Sequence, residues 1–218
     1  MHHRARVAAV AATGVLLAAL TACSDPWDSP HAAPTAVGVP AAGFIPTSTP
    51  SPESTVNPVA GSWDGVDPST GYRVVLLTAG DDSTTAALVS AVEAWAGEEA
   101  VELRTVHADD GLIAGITTAM DMNPDLIISA GDDLIDPLAT VTANHLDVSF
   151  LIVGAEVAEP TYNVTAVDWT GAGYRGEGLG TATDYDPESF TAERCESAVR
   201  AGVAAVLTGL TGVVLWID

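Results

Sequence analysis

A doubly wound, mostly parallel α/β sheet of about six strands, with helices on both faces, is the fold predicted for residues 71–218. Three observations carry it. Continuous apolar runs such as RVVLLTAG (73–80), DLIISAG (125–131) and VSFLIVG (148–154) have strand length and no polar alternation, as strands covered on both faces require. Between them lie helical stretches of roughly 12 to 18 residues, bounded by cap and stop residues. The runs end beside glycine and carboxylate, the composition of turns that present ligand contacts at the carboxyl edge of a parallel sheet.

In order, RVVLLTAG is the first predicted strand, and DDSTTAALVSAVEAWAG the first helix. That helix has cap candidates Asp82 and Ser83, an apolar face with Leu88, Val92 and Trp95, and Gly97 as its stop. VELRTVHA is the second strand, and DGLIAGITTAMDM the second helix, ended by Asn123 and Pro124. DLIISAG is the third strand. DDLIDPLATVTANH follows as the third helix, with Pro137 in its first turn, where a missing N–H costs nothing. VSFLIVG and NVTAVDW are the fourth and fifth strands, FTAERCESAVRAGVAAVLTG is the last helix, and GVVLWID the sixth strand. Only residues 155–162 link strands four and five, fewer than the dozen or so usual in a parallel crossover. The fifth strand is therefore either reached irregularly or antiparallel.

Residues 1–22 open with Arg4 and Arg6, continue through an apolar run from Val7 to Leu20 and hold no acid, the outline of a secretory signal peptide. The run is shorter than the ~20 residues a membrane-crossing helix needs. Leu20, Thr21, Ala22 and Cys23 resemble the bacterial lipobox, which implies cleavage before Cys23, acylation of its thiol and attachment to the outer face of the cell membrane. Residues 23–70 are expected to form a lipidated cysteine followed by a disordered tether, because eight of the 13 prolines fall between Ser24 and Pro58 without any apolar period.

Seven arginines and no lysine stand against 29 acids, and removing residues 1–22 would take the formal charge from −22 to −24. Such a surface repels phosphate backbones and anionic headgroups, so nucleic acid is not an expected partner, and membrane attachment has to come from the lipid. With Cys23 acylated, Cys195 has no intramolecular partner and reads as a small buried helix residue.

The carboxyl ends of the predicted strands bring TAGDD (78–82), SAGDD (129–133), VGAE (153–156) and DWTGAG (168–173) to one edge. Glycine admits a ligand to the backbone, and carboxylates accept from hydroxyls or amines, so the candidate contacts are Asp81, Asp82, Gly131, Asp132 and Gly154, with Trp169 as a stacking surface. The competing reading for each aspartate is a helix cap. GAGYRG (171–176) satisfies G-x-G-x-x-G but is not followed by an apolar helix, which argues against a dinucleotide site. DDLID (132–136) lacks the all-helical setting of magnesium-binding aspartate motifs. His107 and Asp109 have no nucleophile elbow, and no zinc spacing occurs, so neither an enzyme nor a cofactor is expected.

The ordered segments from Tyr72 to Asp218 resemble the amino-terminal lobe of the basic membrane protein family, substrate-binding lipoproteins of ABC transporters that include purine nucleoside receptors. The strongest parts are PDLIISAGDDLIDPLATVTANHLDVSFLIVG, YNVTAVDW and CESAVRAGVAAVLTGLTGVVLWID, with about Gly171–Glu193 reading as an insertion. The resemblance implies a periplasmic-binding-protein-like lobe, a polar solute such as a nucleoside and an ABC permease as partner. Asp81 matches the family's first-strand aspartate, and Gly154 the glycine after its fourth strand. Thr84, Thr85 and Val153 stand where the family carries an aromatic, an asparagine and a second aspartate. The resemblance also places a second lobe after Asp218, so the expected cleft is incomplete, and GVVLWID is expected to be an exposed edge that invites another chain. The alternatives are a binding-incompetent envelope lipoprotein acting as scaffold or sensor accessory, and a truncated two-lobe receptor.

Overall fold

Three short strands precede the first predicted one: β1 (Ala36–Gly38), β2 (Thr55–Val56) and β3 (Val66–Pro68). The computed structural model describes Trp27 and residues 29–218; the expected signal peptide 1–22 and Cys23 lie outside the described residues. Where it is described, the segment expected to be a disordered tether is packed on the domain, a correction to the sequence reading. β1 and β3 pair antiparallel, and Phe44, Val56, Trp63 and Val66 belong to the main core. Phe44 and Trp63 meet edge to face with centroids 6.3 Å apart. A few large rings spaced through a proline-rich stretch bury enough apolar area to offset its ordering entropy, which average composition does not reveal.

The alternation then runs as β4 (Arg73–Thr78), α1 (Ser83–Glu98), β5 (Glu102–His107), α2 (Leu112–Asp121), β6 (Leu126–Ala130), α3 (Ile135–Thr142), β7 (Phe150–Val153), β8 (Val164–Asp168), α4 (Ala192–Thr208) and β9 (Val214–Trp216). The large sheet has seven strands in the order β2-β9-β8-β7-β6-β4-β5. Every neighbouring pair in it is parallel. β8 is thus parallel to β7 and reached by the short link without a helix. Asn163 secures that link, its side-chain amide donating to the carbonyls of Thr142, His145 and Val148 at 3.2, 3.1 and 2.9 Å.

The two faces follow from the strand period. Val74, Leu76, Leu126, Ile128, Leu151 and Val153 share one core with α1 and α4. Val75, Leu77, Ile127, Phe150 and Ile152 share the other with α2 and α3. Helix α4 lies close to the sheet at Gly202, where an added Cβ would stand 2.4 Å from Leu151 Cδ1. Helix α1 runs through Gly97 rather than stopping there, and the chain leaves it by Ala100 at φ 52°. The seventh strand, β2, pairs with β9. The edge expected to invite another chain is covered by this chain's own amino-terminal segment.

Candidate functional site

From β4 the chain passes through α1 to β5 on one side, and from β5 through α2 to β6 on the other. The strand order therefore reverses at β4, the position beyond whose carboxyl end open parallel sheets bind ligands. Two acidic turns meet there, Ala79–Asp82 after β4 and Gly131–Asp133 after β6. Gly131, at φ 114°, lies so close that an added Cβ would be 2.6 Å from the Ala79 carbonyl oxygen. A Cβ on Gly80 would find the Asp82 and Asp133 carboxylates, each at 3.5 Å. The Gly80 amide donates to Asp109 Oδ1 at 2.9 Å, which pins the first turn to the loop after β5.

Asp82 is committed to the start of α1. Its Oδ1 accepts from the Thr84 and Thr85 amides, both at 2.9 Å, and from the Thr84 hydroxyl at 2.5 Å, while Oδ2 accepts from the Thr85 hydroxyl at 2.6 Å. Partial burial by itself would raise its pKa; these bonds outweigh it and hold the carboxyl down at about 2. Thr84 and Thr85, at positions where the resembled family has an aromatic and an asparagine, are buried cap partners. Asp81 is exposed on the rim. Asp132 is half-buried, and burial first, then the nearby Asp82 and Asp133 charges, push it up to about 6.

Residues 169–190, which include most of the insertion predicted at 171–193, fold over the carboxyl ends of β7 and β8. The Glu177 amide donates to both Asp136 oxygens at 3.1 Å, Tyr185 and Thr84 hydroxyls lie 3.3 Å apart, and Tyr174 forms bridges with Ala155 and Thr181. Two expected contacts are corrected by this cover. Trp169 is wholly buried, its indole N–H donating to Ser189 Oγ at 3.0 Å and its ring edge-on to Phe190 at 5.0 Å, so it offers no surface for stacking. Gly154 lies underneath, where an added Cβ would be 2.8 Å from Phe190 and 3.2 Å from Trp169. Its glycine serves packing and a positive φ of 79°.

The structure adds residues that the sequence reading did not select. Asp168, at the end of β8, is fully buried; its Oδ1 accepts from the Trp169 amide at 3.0 Å, and its Oδ2 meets no donor among the described residues. Burial pushes its pKa up to about 7 against the Trp169 amide bond; Glu156 and Asp132 add to the rise, and Arg175 opposes it. Glu156, raised chiefly by burial, is paired with Arg175 Nε at 2.8 Å. Arg175 and Glu156 line a cleft of about 200 Å³ beside Trp216. The available signal was an acid closing an otherwise apolar strand in TAVDW, and a lone arginine in an acidic insertion. No group of three or more His, Cys, Asp or Glu among the described residues is placed to hold a metal ion. Cys195 is buried, and burial raises its thiol to about 11.

The architecture is that of an α/β domain with a topological switch point at β4. No protein-family model and no curated protein matches the chain. Over part of its length it is similar in structure to ABC transporter solute-binding proteins. One, from Aeropyrum pernix K1, shares 18% identity over 45% of this chain and 29% of its own, with a TM-score of 0.39. A second, from Conexibacter woesei DSM 14684, shares 18% over 45% of this chain and 35% of its own, at TM-score 0.37. A periplasmic ribose ABC transporter protein from the same organism shares 16% over 67% of this chain and 54% of its own, at TM-score 0.32. The matched regions thus span about a third of the length of the first two proteins.

Proposed function

We propose that this chain is an extracytoplasmic lipoprotein, anchored through acylated Cys23, whose α/β lobe takes a small neutral or cationic polar solute, such as a nucleoside, at the β4–β6 switch point as part of an ABC transport system. The observation that carries the solute reading is the pair of facing acidic turns at the switch point, with Asp81 exposed and Asp132 half-buried. Free carboxylates there accept hydrogen bonds from hydroxyls and amines and disfavour phosphates. Asp82 shapes the turn as a cap, and Gly131 permits its approach to Ala79. The lipid anchor draws on the Leu20–Cys23 lipobox, and the transporter on the resemblance of residues 72–218 to the basic membrane protein family.

Thermal unfolding of the full protein with nucleosides and with small cationic solutes tests the solute reading, because a ligand of the native state raises apparent stability. A rise that Asp132→Asn abolishes is expected; no rise at millimolar solute would count against it. The cover formed by residues 169–190 favours a second reading, an envelope scaffold or sensor accessory that binds no solute. Crosslinking to a membrane partner in the absence of any solute effect would select it.

A further inference from the structure

The cleft of about 200 Å³ near the β9 edge of the sheet is lined by Glu53, Glu156, Val157, Arg175, Val214 and Trp216 among others. It exists because no helix links β7 to β8. Val214 shares a core with Ala166 of β8, its partner in register, and Trp216, two residues on, points to that same face. The wall over this part of β9 comes from the 155–162 link and the 169–190 segment. These two are pinned together, the Glu156 amide donating to the Tyr174 carbonyl and the Arg175 amide to that of Gly180, each at 2.9 Å. β4 and β9 are four strand spacings apart, about 19 Å, so the cleft is separate from the acidic turns at the switch point.

Charge selects the occupant. Arg175 Nε meets Glu156 Oε1 at 2.8 Å, which leaves both Nη groups and Glu156 Oε2 without a protein partner among the described residues. A guanidinium engaged at Nε still offers its outer N–H groups to a second carboxylate in a fixed fork. Glu53 brings another carboxylate. It stands third in a turn closed by the Ser54 amide on the Ser51 carbonyl at 3.2 Å, with φ 65°, a conformation that glycine or asparagine ordinarily supplies. Asp168 is the register neighbour of Trp216, and its Oδ2 meets no donor among the described residues. One guanidinium therefore stands among three carboxyl groups. A simple anion is repelled and a simple cation leaves Arg175 unused, whereas a molecule carrying both charges answers both. The partly exposed Trp216, with Val157 and Val214, gives its apolar part a wall.

We propose that this cleft binds a small zwitterion of the α-amino-acid class, with its carboxylate on the Arg175 Nη groups, its ammonium on Glu156 Oε2 and Glu53, and its side chain along Trp216. The site is additional to the solute site at the switch point and does not depend on it.

Thermal unfolding and calorimetric titration of the full protein test it, with leucine and with two analogues that each lack one charge, leucinamide and 4-methylpentanoate. Leucine should give a saturable rise in melting temperature at millimolar concentration. Each analogue should bind about tenfold more weakly or worse, the loss expected when one charge-assisted hydrogen bond goes unmade. Arg175→Gln should remove the preference for leucine over leucinamide. Glu53→Gln, at an exposed position, should weaken leucine while leaving the ligand-free melting temperature in place, and Trp216→Leu should weaken all three compounds. Asp132→Asn should leave leucine binding within about twofold, because solvent and salt screen a charge at that distance. No rise with leucine, valine or methionine overturns the proposal, as does a rise that both analogues reproduce in full. A leucine effect that Asp132→Asn abolishes overturns it too, since the ligand then sits at the switch point.

Discussion

The Trp169 indole N–H donates to Ser189 Oγ across twenty residues of sequence, and this bond at 3.0 Å closes the loop that covers the carboxyl ends of β7 and β8. Both groups are buried, so water cannot replace the acceptor. Ser189→Ala should therefore cost about 1–3 kcal/mol, read as a lower urea midpoint with an unchanged slope. Trp169→Phe introduced with it removes the orphaned donor, so the double variant should lose less than the sum of the two single changes.

Stability should fall as pH rises through the range set by the buried acids. Asp168 is raised to about 7 and Asp132 to about 6, from the ordinary aspartate value of 3.8, so between those limits the native state binds more protons than the unfolded chain. Their protonated forms favour folding below about pH 4, and that advantage is lost progressively as pH climbs through 6 and 7. Asp168→Asn should flatten this decline and raise the melting temperature at pH 8. An unchanged pH profile would show that Asp168 is solvated.

Asp82 acts with the opposite sign. Held at about 2, it contributes stability above its ordinary pKa of 3.8, and this is lost as pH falls from about 4 towards 2. Asp82→Ala should cost about 0.5–2 kcal/mol in denaturant unfolding as a lost cap. Asp82→Asn, which retains one carbonyl acceptor for the Thr84 and Thr85 amides, should cost less. If solute binding is found, Asp82→Asn should weaken it less than Asp132→Asn does.

Gly202→Ala should destabilise, although alanine ordinarily gains about 1 kcal/mol over glycine inside a helix. The new methyl would stand 2.4 Å from Leu151 Cδ1 and 2.9 Å from Val167 Cγ2, inside a packed core. Overpacking of about 1–3 kcal/mol outweighs the helix gain, and a lower urea midpoint checks it. Leu151→Ala is itself costly as a large-to-small change in the core, but it opens room for the methyl, so the double variant should lose less than the sum of the two single changes.

Much of the fold was legible because its signals are local. The runs at 73–78, 126–130 and 150–153 are apolar on both faces and became inner strands, and Asp82 became the cap of the first helix as its position suggested. The acidic turns at the switch point could be read because a parallel sheet gathers the ends of its strands on one edge. Trp169 and Gly154 were misplaced for a long-range reason: Phe190 and Ser189, remote in sequence, return to cover them. Asp168 was passed over because nothing in the local pattern says that a strand-end carboxylate will be sealed in.

The sequence by itself determined the alternation of strand and helix, the inward and outward faces, the caps and the acidic carboxyl edge, since each follows from periodicity and neighbours within a turn or two. Only the tertiary structure decided that the proline-rich arm lies down on the domain, adds β2 beside β9 and holds Trp27 against Arg104, and that residues 169–190 close over the sheet. These outcomes depend on large side chains meeting partners dozens of residues away, where the area buried outweighs the local preference of the chain to stay extended.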